Sequence, residues 1–137
     1  VSLKAAGVNC TEAGTQIDRC RWDALACPLM DSSVTCVVTN MPYGKDIPLN
    51  DEHRFIDRLF IEMARILKTG GKFVLLTRSS SQVDSWIKNH AAFHIVKVYA
   101  VDLFGFDLRI YALSRTKKGF DEKRGEERGE GTKVQRS

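Results

Sequence analysis

A chain of 137 residues with 43% apolar and 28% charged side chains has the make-up of one ordinary globular domain and is too short for two. No run approaches the roughly eighteen uninterrupted apolar residues that a spanning helix needs, and an excess of 21 Lys and Arg over 17 Asp and Glu is too small to argue for a nucleic-acid partner by itself. The four cysteines, Cys10, Cys20, Cys27 and Cys36, form no C-x-x-C pair and match no histidine spacing, so they encode neither a zinc site nor a disulfide scaffold; reduced, mostly buried thiols of an intracellular protein are expected.

The chain begins at Val1 inside an element. Ser2 to Ala6 reads as the last turn of a helix, with Gly7 as its left-handed cap, and a domain truncated at its N-terminus is expected. Thr15 to Trp22 has a short strand pattern with Ile17 and Cys20 as core positions, and it runs into Asp23-Ala24 and a Pro-containing loop. Val34 to Thr39 is rich in β-branched residues and apolar on both faces, the signature of a buried parallel strand, and it stops at Asn40-Met41-Pro42-Tyr43-Gly44. Asn50 or Asp51 can cap a helix whose apolar positions Phe55, Ile56, Leu59, Phe60, Met63, Ile66 and Leu67 recur at three and four residues, ended by Lys68, Thr69 and Gly70-Gly71. Lys72 to Thr77 is a second strand, and Gln82 to Asn89 is a shorter helix with Val83, Trp86 and Ile87 on one side. Phe93 to Leu103 is a long strand. Leu108 to Ser114 follows after so short a connection that it must run antiparallel to its predecessor. This order predicts an α/β layer with a mostly parallel sheet and one antiparallel strand near its end. From Lys117 onward the chain mixes charges with Gly and has almost no apolar residues, so residues 1–116 read as the folded unit and 117–137 as a disordered charged tail.

In such sheets ligands bind at the carboxyl ends of the parallel strands, which singles out Asp23-Ala24 and Asn40-Met41-Pro42-Tyr43. Asn40 offers a carboxamide oxygen, and Pro42 biases Met41 away from the helical region so that its carbonyl can be held outward as a second acceptor. Tyr43 adds a face on which a planar base can stack. Together these would receive a flat group bearing an NH2: with both protons given to the two acceptors, the nitrogen lone pair can turn toward a methyl donor. The same residues also suit an ordinary turn.

The arrangement resembles the catalytic N-P-P-[YF] motif of class I S-adenosylmethionine-dependent methyltransferases that modify exocyclic amino groups or amide nitrogens, enzymes with a Rossmann-like α/β fold. Asp23-Ala24 stands where that family has an aspartate accepting a hydrogen bond from the cofactor adenine, and Lys68 to Leu76 resembles the segment after its catalytic loop. More narrowly, Asp23-Ala24-Leu25, Asp31 to Val34 and Val38 to Lys45 are similar to the catalytic domain of THUMP-domain RNA guanine-N2 methyltransferases, over about residues 1–115. The resemblance implies S-adenosylmethionine as cofactor, guanine N2 in tRNA as acceptor, and a cytoplasmic enzyme with the nucleus as the other compartment. It assigns Asn40, Met41, Pro42 and Tyr43 to catalysis and Asp23, Ala24 and Asn40 to the cofactor. The chain departs from the motif in having Met41 where the first proline stands, and the family's first strand, Gly-rich loop and ribose-binding acidic residue would fall before Val1.

Adenine N6 or a protein glutamine amide would fit the same acceptors, and a noncatalytic RNA- or partner-binding module is the alternative of a different class. Among the remaining residues, Asp23 also suits a turn cap, Trp22 reads as core, and His53, His90 and His94 read as surface histidines. Lys45 and Asp46 read as loop charges near the site, and Ser80 or Ser81 as a helix cap.

Overall fold

The computed structural model describes residues 3–18, 20–41 and 51–117. Its elements are α1 (Leu3–Glu12), β1 (Val34–Asn40), α2 (Glu52–Ile66), β2 (Leu67–Thr77), α3 (Ser80–Asn89), β3 (Phe93–Leu103) and β4 (Phe106–Arg115). The strands form a sheet in the order β1-β2-β4-β3. β1 and β2 pair in parallel through the α2 crossover, and β4 pairs antiparallel with both β2 and β3, so three strands point one way and β4 alone is reversed. The architecture is the expected Rossmann-like α/β layer, with the reversed strand lying inside the sheet.

The sheet is covered on one face by the stripe of α2, where Ile56, Leu59, Phe60, Met63 and Ile66 are all buried. Phe60 sits at the centre of an aromatic cluster, its ring centroid 5.3 Å from Phe73, 4.8 Å from Trp86 and 5.9 Å from Phe93. The pairs with Phe73 and Phe93 are edge to face, an arrangement that adds about 0.5–1.5 kcal/mol to the burial of the rings themselves. Tyr111 joins β4 to α3 by donating to Asp84 Oδ1 at 2.8 Å, and Arg115 joins it to α2 by donating to the Ala64 carbonyl at 2.6 Å. Because strand residues alternate, the paired rows Asn40–Leu76–Ile110–Tyr99 and Val38–Val74–Ala112–Lys97 belong to the opposite face. Val38 is 74% exposed there.

Several local expectations are corrected. α1 continues through Gly7 to Glu12 and is stopped by Gly14, which has φ +69°; Gly14 N–H bonds to the Thr11 carbonyl and Thr15 N–H to that of Cys10, the paired bonds of a left-handed helix stop. The described part of Thr15 to Trp22 forms no strand, and Ile17, Cys20 and Trp22 are exposed, because the charged residues between them leave no continuous apolar face. Among the described residues β1 pairs with β2 alone, and Cys36 and Val38 are exposed, so β1 is not buried on both faces there as expected. Of the four thiols only Cys27 is buried.

α2 ends at Ile66 and β2 begins directly at Leu67, so Lys68 to Gly71 belong to the strand as an irregularity: Val34 pairs with Leu67, yet Cys36 already pairs with Lys72. Gly70 has φ +80°, and a Cβ on Gly71 would lie 2.8 Å from the Lys68 carbonyl oxygen, so the two glycines serve this bulge and not the helix end. α3 starts two residues early, with Ser79 as its N-cap residue and no side-chain cap bond. His90 is half-buried, stacked on Trp86 at 4.1 Å. The tail expected from Lys117 lies, beyond that residue, outside the described residues.

Candidate active site

β1 and β2 deliver their carboxyl ends to one edge of the sheet, where Asn40 pairs with Leu76. Asn40 is exposed, so its carboxamide is available to a ligand, whereas the next residue turns inward: Met41 is 3% exposed and belongs to the core. Met41 N–H donates to the Leu76 carbonyl at 2.9 Å. A proline at this position could make neither contact, since it has no N–H and a shorter side chain. The chain thus replaces ring rigidity with a backbone hydrogen bond and a buried thioether, and the backbone that leaves β1 is anchored where the acceptors of the site must be held. Pro42, Tyr43, Lys45, Asp46 and Asn50 lie outside the described residues.

Asp23 sits in a turn of its own making. Its Oδ1 accepts from Leu25 N–H at 2.9 Å, and its carbonyl accepts from Ala26 N–H at 3.0 Å. The turn-cap role is therefore real, and the Asp23 residue itself is exposed. Ala24 follows it and lines a groove of about 380 Å³ together with Trp22, Cys27, Val37, Thr39 and Met63. The groove joins the two segments that the sequence singled out, since Ala24 borders it on one side and the residue preceding Asn40 on another. Its apolar walls, with the exposed Asp23 next to Ala24 in the chain, suit a flat heterocycle with a donor at its rim, so the residues present fit the adenine end of the expected cofactor.

What holds this loop was not visible in the sequence. Arg65, near the end of α2, donates from Nη2 to the Cys27 carbonyl at 2.9 Å, from Nη1 to the Leu29 carbonyl at 2.8 Å and to Asp31 Oδ1 at 2.9 Å, and from Nε to Glu62 Oε2 at 3.0 Å. Glu62 Oε1 accepts in addition from Cys27 N–H at 2.8 Å. The backbone of the helix end completes the clamp, with Ser32 N–H on the Arg65 carbonyl and Ser33 N–H on that of Ile66. The hydrogen bond from Arg65 holds the Glu62 carboxyl below the usual glutamate range, and Glu62 in turn holds the guanidinium firmly charged. Burial pushes the Cys27 thiol up, so it stays protonated and acts as packing, its Sγ 3.5 Å from the Ala24 carbonyl. The i, i+3 spacing of Glu62 and Arg65 signals an ion pair; the carbonyls it fastens lie more than thirty positions away, which no local pattern reveals.

Residues 2–107 match the family model described as UPF0020, RMKL-like, methyltransferase domain. The tRNA (guanine(6)-N(2))-methyltransferase THUMP3 of Mus musculus is 30% identical over 113 residues, which takes in 80% of this chain and 22% of that protein. The chain thus spans about a fifth of the length of this curated relative. Among solved structures, TrmN from Thermus thermophilus superposes with a TM-score of 0.63 at 21% identity, over 82% of this chain and 33% of that one. The [4+2]-cyclase SpnF superposes with a TM-score of 0.64 at 13% identity, over 83% of this chain and 62% of that one. A fold shared with a cyclase does not by itself name a reaction, so the chemistry must be argued from the site.

Proposed function

Because the chain belongs to the RMKL-like methyltransferase domain family and has the fold of class I S-adenosylmethionine-dependent methyltransferases, we propose that it carries the catalytic residues of an enzyme that methylates guanine N2 in tRNA. The observation that carries this reading is the junction at the end of β1, where an exposed Asn40 is followed by a Met41 whose side chain and N–H are both fixed in the sheet. S-adenosylmethionine, when bound, supplies an electrophilic methyl group. Asp23 would hold its adenine amino group with the carboxylate oxygen that Leu25 leaves open, Ala24 would line the ring's pocket, and Asn40 borders both cofactor and acceptor.

In the acceptor site the Asn40 carboxamide oxygen and the Met41 carbonyl take the two N–H bonds of the amino group. With both held, the nitrogen lone pair would be directed out of the ring plane for in-line displacement of S-adenosylhomocysteine; no strong base has to remove a proton before transfer, and the methylated nitrogen gives up its extra proton to solvent afterwards. Pro42 would keep the Met41 carbonyl extended outward, and Tyr43 would stack on the base. The work is positioning and hydrogen bonding, not acid/base chemistry. Two acceptors and a flat face accommodate guanine, adenine or a glutamine amide alike; the likeness to a relative named for guanine N2 in tRNA is what favours guanine.

In the full-length gene product, Asn40→Ala should lower single-turnover methyl transfer about a hundredfold, the usual cost of removing one positioned donor or acceptor from a transition state. Binding of S-adenosylmethionine should fall far less than transfer does, because Asp23 and Ala24 keep the adenine end. Transfer within a few fold of wild type would make this junction a structural turn.

A further inference from the structure

The tip of the β3–β4 hairpin is built against the ordinary rules of a stable turn. Two residues, Phe104 and Gly105, connect the strands, both with positive φ, at +53° and +79°. Tight hairpins of this kind favour Asn or Asp before Gly, because a bulky side chain in the left-handed region is strained. Here the position holds phenylalanine, and its ring is 90% exposed. Neither folding nor core packing gains from that choice, and local strain of this kind collects at functional positions.

The ring does not stand alone. Leu103 and Phe106 pair directly beneath it and are each more than 40% exposed. The Arg78 guanidinium, just past the end of β2, lies 4.3 Å from the Phe106 ring centroid, and Lys97 Nζ lies 4.9 Å from that of Tyr99. Strand alternation puts Phe106, Tyr99 and Lys97 on the sheet face that carries Asn40, while the acidic pair Asp102 and Asp107 takes the opposite face. The face toward the site is therefore aromatic and cationic.

The tip also stands at the right end of the sheet. Ile110 is level with Asn40, and Phe106 lies four residues further toward the carboxyl ends of β1 and β2. At about 3.3 Å per residue the tip rises roughly 13 Å beyond Asn40, and two strand spacings of about 4.8 Å separate β4 from β1. A polynucleotide presenting a base to Asn40 would need only a handful of further nucleotides, at about 3.4 Å of rise each, to reach Phe104.

We propose that this hairpin tip is an RNA-contact element, in which Phe104 stacks on an unpaired base flanking the target while Arg78 and Lys97 meet the phosphate backbone. The proposal rests on the tRNA reading above and specifies a contact beyond its catalytic junction. Exposed aromatic rings interleaved with cations are what single-stranded nucleic acid requires, since every base has a face to stack and every linkage a negative charge.

The test uses the full-length protein and a fluorescently labelled tRNA transcript, with Phe104→Asn, Phe104→Trp and Arg78→Ala compared by equilibrium binding at fixed salt and by thermal melting. Phe104→Asn relieves the strained turn, so its melting temperature should equal or exceed that of wild type while tRNA affinity falls about tenfold or more. Phe104→Trp should bind as wild type does, and Arg78→Ala should weaken binding and flatten its salt dependence. Phe104→Asn binding tRNA within twofold of wild type overturns the proposal, and if guanine N2 is still methylated the tRNA reading survives it. Wild-type protein that binds no tRNA and labels protein or DNA instead overturns both.

Discussion

Asp23 carries two duties that a single substitution can separate. Its Oδ1 caps the turn through Leu25 N–H, and its other oxygen is the one assigned to the adenine amino group. Asp23→Asn keeps an oxygen for the cap and loses the second acceptor, so the melting temperature should stay within about a degree while the Kd for S-adenosylmethionine rises roughly tenfold, the loss of one charge-assisted hydrogen bond. Asp23→Ala should show both defects. Equal cofactor affinity in wild type and Asp23→Asn would leave Asp23 a cap alone. Met41 illustrates the reverse case, a proposed site residue whose own side chain is packed in the core. Met41→Ala empties a core position and should destabilise the fold by about 2–4 kcal/mol in urea titration. Its carbonyl survives the change, so the methyl-transfer rate of the folded fraction should fall far less than in Asn40→Ala.

The clamp at the end of α2 ties helix to loop through charge, and its pH dependence has a definite sign. Glu62 titrates lower in the folded state than the 4.5 of an ordinary glutamate, because Arg65 donates to it. Its contribution is therefore fully present above pH 4.5 and is lost as the pH falls through the depressed folded value. The urea midpoint should accordingly drop below pH 4.5, and Glu62→Gln should flatten that part of the profile. Arg65→Lys cannot reproduce a planar fork that reaches two carbonyls and two carboxylates, so it should lower stability by about 2–4 kcal/mol and loosen the Asp23 loop despite keeping the charge. The bulge of β2 makes a further demand. Gly71→Ala would press a Cβ against backbone at Lys68 and Thr35 and should cost about 1–3 kcal/mol, more than Gly70→Ala, whose Cβ meets nothing and which pays only for its positive φ.

Taken as a whole molecule, the sheet was legible in the sequence where one signal dominated. The α2 stripe announced itself through repeated three- and four-residue spacing, and β3 and β4 through a connection too short for anything but an antiparallel return. The described part of Thr15 to Trp22 was misread because Ile17 and Cys20 each look like core positions, although a spacing of three puts them on opposite faces of a strand. The exposure of β1 among the described residues was equally hidden, since β-branched composition does not tell a strand paired on one side from one paired on both. In the candidate site, Asn40 and Asp23 were visible as polar residues after apolar runs. The buried role of Met41 and the reach of Arg65 needed the tertiary fold, because both depend on partners distant in sequence. The proposed reaction would belong to the whole protein, and the destination of the methyl group tests it most directly. Full-length enzyme is incubated with labelled S-adenosylmethionine and a mixture of tRNA, DNA and protein, and the labelled product is digested to nucleosides and amino acids. Label in N2-methylguanosine from tRNA, abolished by Asn40→Ala, is the predicted result; label confined to N6-methyladenosine or methylglutamine would contradict it.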